Sequence, residues 1–315
     1  MFFSLLMPIT LHPHLNVANN AQKLAEIYAP IIVHDSRETS PLSSVEALLK
    51  TGPTLEGYCA ETPSIPLPVF RFTENLLLKS SDEACDTLAL NFHHARPKPV
   101  AKSYYHIVED GMYIYIQYWL FYAWNETAHL GGGELMALCG NHEGDWEHVS
   151  VRINREKLST ANHHDDYRHA IDDLYFAQHK RDPKAKKKYL RKNNPRLSFK
   201  NAQVYVFSAR GSHASYPSPG TWPLLTVAGV TLRDENDGKG LTLDLANPLL
   251  EPVAHTSWFA YAGHWGAIVD NICTPLEKIS RLSNDGPFGP GHKDKFLSFY
   301  QGDWHDVARP MDSSY

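Results

Sequence analysis

Between Ser103 and Phe121 the chain reads SYYHIVEDGMYIYIQYWLF, two runs of alternating aromatic and β-branched residues joined through Asp110-Gly111. Such a period of two suits a strand, whose successive side chains point to opposite faces, and cannot be matched to a helix. Asp-Gly tolerates positive φ, so the whole stretch predicts a β-hairpin. Further runs at WEHVSVRI (146–153), DLYFAQH (173–179), QVYVFSA (203–209), LLTVAGVTL (224–232) and SWFAYAG (257–263) predict more strands. Helical spacing is concentrated near the N-terminus. NAQKLAEIYAP stops at Pro30, and SPLSSVEALLKTG is capped by Ser43 or Ser44 and ended by Gly52. Prolines between 52 and 70 predict irregular backbone there. The expected fold class is therefore mainly β: an antiparallel β-sandwich in a single domain over 1–315, with a helical extension (1–65) packed on it and a basic loop insertion at 180–200.

Composition narrows the function classes. With 43% hydrophobic and 21% charged residues the chain has an ordinary globular make-up. No apolar run approaches the ~20 residues a membrane-spanning helix needs. The opening MFFSLLMPIT has no Lys or Arg before its apolar run and is interrupted by Pro8, a poor match to a secretory signal. Cytoplasmic residence and export by a non-classical route both stay open. Cys59, Cys85, Cys139 and Cys273 stand far apart with no CxxC pair, which predicts neither a zinc knuckle nor a dense disulfide framework. The segment 180–200 holds ten Lys/Arg and one acid; without it 20 basic residues face 34 acidic ones, a balance of −14. Such a run suits an anionic membrane surface, where each cation adds ~1 kcal/mol, or is a solvated loop. Nucleic acid is not expected as a partner.

The densest chemistry lies in GNHEGDWEH (140–148), with two histidines, two glutamates and an aspartate. Strand alternation puts Asp145, Glu147, Val149 and Val151 on one face and Trp146, His148 and Ser150 on the other. Asp145 and Glu147 then stand roughly 6.5–7 Å apart in Cα on one side of the strand. Two such carboxylates repel each other, and a hard divalent cation, Ca²⁺ or Mg²⁺, would relieve the repulsion, with His142 joining directly or through water. The plainer alternative is a pair of acids held by arginines or loop N–H groups. A second stretch, ARGSHASYPSPGTW (209–222), places Ser212 and His213 after a strand, and His179 ends another, so the histidines at strand ends predict a shared rim.

Other arrangements are weak. There is no GxSxG elbow, Walker loop or HExxH. HLGGGELM (129–136) reads as a loop, and Cys139 as a small half-buried residue rather than a nucleophile.

Taken together, YAPIIVHDSRETSPLSSVEALL (28–49), QYWLFYAWN (117–125), NHEGDWEHVSVR (141–152), YFAQH (175–179), ARGSHASYPSPGTW (209–222), RDENDGKG (233–240), AGHWGAI (262–268) and GPFGPGHK (286–293) resemble the vacuolar protein sorting-associated protein 62 family. HEGDWE is also similar to the GHRHDWE heptapeptide of the necrosis- and ethylene-inducing-like proteins. That resemblance implies a β-sandwich whose acidic cavity holds a divalent cation and engages a sphingolipid sugar headgroup before membrane damage. Carried over, His142, Asp145 and Glu147 fall on metal-site residues. A further aspartate of that family falls on Asn125, which offers a carbonyl oxygen but no charge, and a histidine of the heptapeptide is replaced by Gly144. The leading expectation is a protein that binds a glycan or lipid headgroup through a divalent metal ion at His142, Asp145 and Glu147, with His179, Asn125 and Ser212 as binding residues, acting as a membrane-directed toxin or effector. The rival is a metal-dependent hydrolase of phosphodiester or ester bonds in which Glu143 or His213 moves the proton. A third is a sorting scaffold whose acidic cluster is purely structural.

Overall fold

The computed structural model describes residues 17–57, 65–66, 88–126, 141–162, 164–176, 189–227, 230–246, 248–259, 261, 263–266, 286–287 and 289–290. The alternating run at 103–121 is the centre of the architecture. β5 (Ser103–Asp110) and β6 (Tyr113–Asn125) form the expected hairpin, in register from Ser103 opposite Leu120 to Asp110 opposite Tyr113. β7 (His142–Asn154) pairs antiparallel along the whole of β6, β8 (Ile171–Phe176) continues the sheet, and β9 (Tyr189–Arg191) forms one edge. On the other edge β16 (Leu250–Pro252) runs parallel to β5, completing a six-stranded sheet in the order β16-β5-β6-β7-β8-β9.

A second sheet faces it. β1 (Ile31–His34) lies between β11 (Gln203–Ser208), to which it is parallel, and β15 (Thr242–Asp244), to which it is antiparallel. β10 (Phe199–Lys200) and β12 (Ser215–Tyr216) both pair with β11. The apolar layer between the sheets contains Ile32, Val204 and Val206 from one side and Tyr118, Leu120, Val149 and Val151 from the other, together with Leu24, Ala25 and Tyr28 of helix α1 (Val17–Tyr28). Each such aliphatic side chain leaving water contributes roughly 1.5–3 kcal/mol. Helix α1 is fastened by Tyr118 Oη, which donates to Ala25 O at 2.9 Å.

The opposite face of β6 and β7 is also buried. Trp119, Phe121 and Trp146 pack there with Tyr104, Trp258, Tyr261, Trp265 and Val45 and Leu48 of helix α2 (Val45–Leu49), which Ser44 caps by accepting from Ala47 N. A small sheet of β3 (Ile65–Pro66), β2 (Thr54–Gly57) and β4 (Leu88–Asn91) lies at that side, contributing Leu55 and Leu90. β13 (Gly220–Val227) and β14 (Val230–Asn236) form a separate hairpin. Helices α3 (Arg155–Ser159) and α4 (His164–Ala170) bridge β7 to β8.

The mainly β, mainly antiparallel expectation holds, and several local expectations need correction. Residues 224–232 belong to two strands rather than one. Residues 257–259 form turns, because Trp258 enters the second core instead of extending a ladder. Ile31–His34, within the expected helical extension, is a strand inside the second sheet. The last part of the basic segment, 189–200, is not a loop insertion: it contributes an edge strand to each sheet, β9 and β10. The strand ending at His179 is described only to Phe176, and His179, the four cysteines, 129–136 and 180–188 lie outside the described residues.

Candidate functional site

The site is built where β7 leaves its first residues and the β11–β12 turn folds back over it. Gly144 has φ +58°, a conformation L side chains rarely adopt, and a Cβ there would lie 2.0 Å from Trp265 O. Glycine is thus required at the centre of HEGDWE by a backbone crossing on top of it. One consequence is that the acids on either side of it have separate partners. Glu143 accepts Phe92 N at 2.9 Å and His94 N at 2.5 Å, holding the turn after β4. Asp145 instead accepts from His213, whose Nδ1 stands 3.0 Å from Asp145 Oδ2.

His213 belongs to a tight turn closed by Ala209 N to Ala214 O and His213 N to Ala209 O, and its own φ is +53°. Gly211 of the same turn has φ +72° and passes so close to Glu126 that a Cβ would meet Glu126 O at 2.0 Å. This left-handed step at His213 carries the ring inward, where it is fully buried and stacks on Tyr122 with centroids 3.8 Å apart and planes 5° from parallel. Its Nε2 faces Glu38 Oε1 at 3.6 Å. Burial alone would disfavour the imidazolium. Glu38 and Asp145, one on each ring nitrogen, outweigh burial and raise its pKa to about 10. At neutral pH His213 is therefore a cation clasped between two carboxylates.

Glu38 is held in turn: Oε1 accepts Ser40 N at 2.6 Å and Oε2 accepts Gly211 N at 2.7 Å. Burial works against its charge, yet His213 and these N–H groups keep it well below the usual carboxylate range. Glu147 is buried two residues along β7 on the Asp145 side. Burial drives the Tyr122 phenol far up, and Glu147, Asp145 and Glu38 add to the rise, so all three carboxylates act on this ring. Its hydroxyl meets Ser208 Oγ at 3.1 Å.

A second histidine behaves in the opposite way. His34 Nδ1 donates to Leu241 O at 2.9 Å and Nε2 accepts Leu42 N at 3.1 Å, which fixes a neutral ring. Burial, with charged His213 nearby, lowers its pKa to about 4 despite the opposing bond to Leu241.

Around this centre, loops distant in sequence are tied together. Asp35 accepts Arg37 Nε and Nη2, each at 2.9 Å, and Asp237 N at 3.0 Å. Ser212 Oγ and Tyr216 Oη donate to the two oxygens of Asp234 at 2.5 and 2.6 Å. Asn236 Nδ2 donates to Val33 O and Ser208 O. The stretches HDSRETS, ARGSHAS and RDENDG thus converge on one polar network at one end of the sandwich.

Of the residues singled out from sequence, the structure brings Asp145, Glu147, His213 and Ser212 into this region. His142 Nδ1 donates to Gly144 O at 3.0 Å, and the residue pairs across the ladder with Asn125, which is buried. Glu143 sits at the turn after β4. Glu38 and Tyr122 were missed. The one sequence signal for Glu38 was the density of charge in HDSRETS immediately after the apolar IIV, a place where charge must be buried or capped. The Asp145 and Glu147 oxygens are of the kind a hard divalent cation takes, but Asp145 Oδ2 is already engaged by His213. Among the described residues, no group of three or more His, Cys, Asp or Glu side chains is gathered so as to hold a metal ion.

Three comparisons bear on identity. The family model for vacuolar protein sorting-associated protein 62 matches residues 10–285. No curated protein matches the chain. Solved structures that do match include the non-toxic HaNLP3 protein (11% identity, 82% of each chain covered, TM-score 0.35). Two others are Necrosis and Ethylene inducing Protein 2 from the causal agent of cocoa's Witches Broom disease (13%, 75% of this chain and 76% of that one, TM-score 0.33) and NLPPya in complex with mannosamine (13%, 79% and 81%, TM-score 0.35). Both resemblances read from the sequence, to the family and to the necrosis-inducing proteins, are met among these matches. At such scores the structural likeness says nothing of a ligand or an activity here.

Proposed function

The chain belongs to the vacuolar protein sorting-associated protein 62 family, and we propose that it is a binding protein that takes the polar headgroup of a glycan or lipid at the acidic end of its sandwich, as a membrane-directed toxin or effector would. The observation that carries this reading is the acidic cluster at the start of β7: Asp145 and Glu147 are buried on one side of the strand, and His213, stacked on Tyr122, is held between Asp145 and Glu38. Three carboxylates beside one imidazolium gather acceptor oxygens at this end of the sandwich. Hydroxyl donors of a sugar, or a cation, suit such acceptors.

A divalent ion, calcium or magnesium, is part of the proposal. The carboxylates of Asp145 and Glu147 would hold it, and it would supply a positive charge able to bind headgroup oxygens. The chain's own part is to orient those acids: His213 fixes Asp145 from behind, and Gly144 lets β7 bend beneath the 265–266 backbone. The geometry favours binding over hydrolysis. A general base needs a free lone pair, and charged His213 turns both nitrogens to carboxylates, while Glu143 is committed to two backbone N–H groups.

Co-sedimentation with phosphatidylcholine vesicles, plain or carrying glucosylceramide, tests the reading. Binding that requires the sugar lipid, falls with a chelator and falls again in Asp145→Asn supports it. Equal binding by folded Asp145→Asn rejects it.

A further inference from the structure

Four of the described tryptophans, Trp119, Trp146, Trp258 and Trp265, are fully buried in the second core. Trp222 is not: it stays half-buried on β13, between exposed Thr221 and exposed Pro223. Its indole lies flat on the Tyr216 ring of β12, with centroids 3.8 Å apart and planes 8° from parallel. Gly220, two residues earlier, brings no side chain to the indole; a Cβ there would stand 3.4 Å from Cζ2. The stack is anchored through Tyr216. Its Oη donates to Asp234 Oδ2 at 2.6 Å, Ser212 Oγ donates to the other oxygen of that carboxylate at 2.5 Å, and Asp234 is the cross-strand partner of Trp222. Ser212 precedes His213, whose ring is hydrogen-bonded to Asp145, and β12 packs against β7. Burial and then Asp234 drive the Tyr216 phenol far up, and Glu147 adds to the rise, so this ring stands in the field of the acidic end.

The indole therefore keeps part of its surface in water while a second aromatic ring holds one of its faces rigid. The face of an aromatic ring is electron-rich and attracts groups that carry partial positive charge. The ring C–H groups of a pyranose are such groups, because each hydroxyl oxygen draws electron density from its carbon. They share a flat side of the sugar, from which equatorial hydroxyls project sideways. One ligand can thus use both surfaces, acceptor oxygens for its hydroxyls and an aromatic plane for its C–H side. We propose that Trp222, backed by Tyr216, is the stacking platform of the acidic end and that the headgroup selected there is a hexopyranose. The platform has this role only if the acidic end takes a headgroup, as proposed above, and it adds the ring chemistry of the ligand. Tyr216 is a positioning residue, with its hydroxyl committed to Asp234 and its ring to Trp222. A polyol such as glycerol has the hydroxyls without the flat C–H side, so the platform discriminates against it.

Co-sedimentation of the full chain with phosphatidylcholine vesicles carrying glucosylceramide tests the platform, with thermal melts to establish that each variant is folded. Trp222→Leu, which keeps apolar bulk but no aromatic face, should weaken binding about tenfold, the upper end of what one aromatic contact contributes. Trp222→Phe, which keeps a face, should recover most of it. Methyl β-glucoside should compete with the vesicles, and glycerol at the same hydroxyl concentration should not. The glucoside should also shift the tryptophan emission of the wild type and leave that of Trp222→Leu unchanged. Should Trp222→Leu fail to fold, the wild-type emission shift and the contest between glucoside and glycerol decide the matter. Unchanged binding by Trp222→Leu, where folded Asp145→Asn loses it, overturns the platform and leaves the headgroup reading standing. So does an equal loss in Trp222→Phe and Trp222→Leu, or competition by glycerol as strong as by the glucoside. Absence of sugar-dependent binding by the wild type overturns both.

Discussion

Replacing His213 by Gln removes the buried cation from between the Glu38 and Asp145 carboxylates. At separations of 3.0 and 3.6 Å, an effective dielectric of about 20 gives roughly 5 kcal/mol of attraction for each pair. Desolvation of the ions takes back most of this. What a variant reports is the cost of stranding the acids, about 3–5 kcal/mol for breaking a buried pair from one side. Loss of the ring stacked on Tyr122 adds about 0.5–1.5 kcal/mol. Urea unfolding at pH 7 of wild type, His213→Gln, Glu38→Gln and the double variant measures both the loss and the coupling. The cycle should show His213 and Glu38 favouring each other by at least 1 kcal/mol, as residues of one charge network do. A His213→Gln loss below 1 kcal/mol, or additive single effects, would show that the histidine is a neutral ring packed between loops and that no charge clasp exists.

Other expectations follow from the same geometry. His34 has a folded-state pKa of about 4 against 6.5 unfolded, so the unfolded chain takes up its proton first as pH falls. Stability from this group is intact above about pH 6.5 and declines by up to about 3 kcal/mol as pH drops toward 4; His34→Gln, which can reproduce both bonds, should flatten that part of a urea-midpoint profile. Gly144→Ala should lower the melting temperature sharply or abolish folding, since its Cβ would meet Trp265 O at 2.0 Å; a melting temperature near wild type would mean that the 265–266 backbone does not cross there. Glu143→Ala strands the Phe92 and His94 N–H groups at a cost of about 1–3 kcal/mol, and hydrogen exchange should speed at those two amides first. Uniform exchange across the chain would assign Glu143 a different role.

The hairpin was legible because Asp110-Gly111 and strict alternation agree on one register. The face assignment of β7 was legible for the same reason: Val149 and Val151 enter the inter-sheet core while Trp146 enters the other. Alternation failed at Gly144, where positive φ separates the surroundings of Glu143 from those of Asp145, an effect that depends on a segment more than a hundred residues away. β1 was illegible by alternation because it is a central, partly parallel strand with all four residues buried, a continuous apolar run that has no period of two. SWFAYAG shows the converse: its aromatic residues look like a strand, but Trp258 and Tyr261 are spent on filling the space over Trp146. Glu38 could not be assigned from sequence because its partners, Gly211 and His213, are brought to it only by folding.

Glu147→Gln separates a ligand site from a structural cluster, because the His213 clasp is made to Asp145 and Glu38 and survives the change. With folding checked by urea midpoint, its affinity for glucosylceramide vesicles should fall at least tenfold while stability stays within about 1 kcal/mol of wild type. Unchanged affinity, or a loss of stability large enough to account for the loss of binding, would mean that the acids on this face hold the fold and bind nothing.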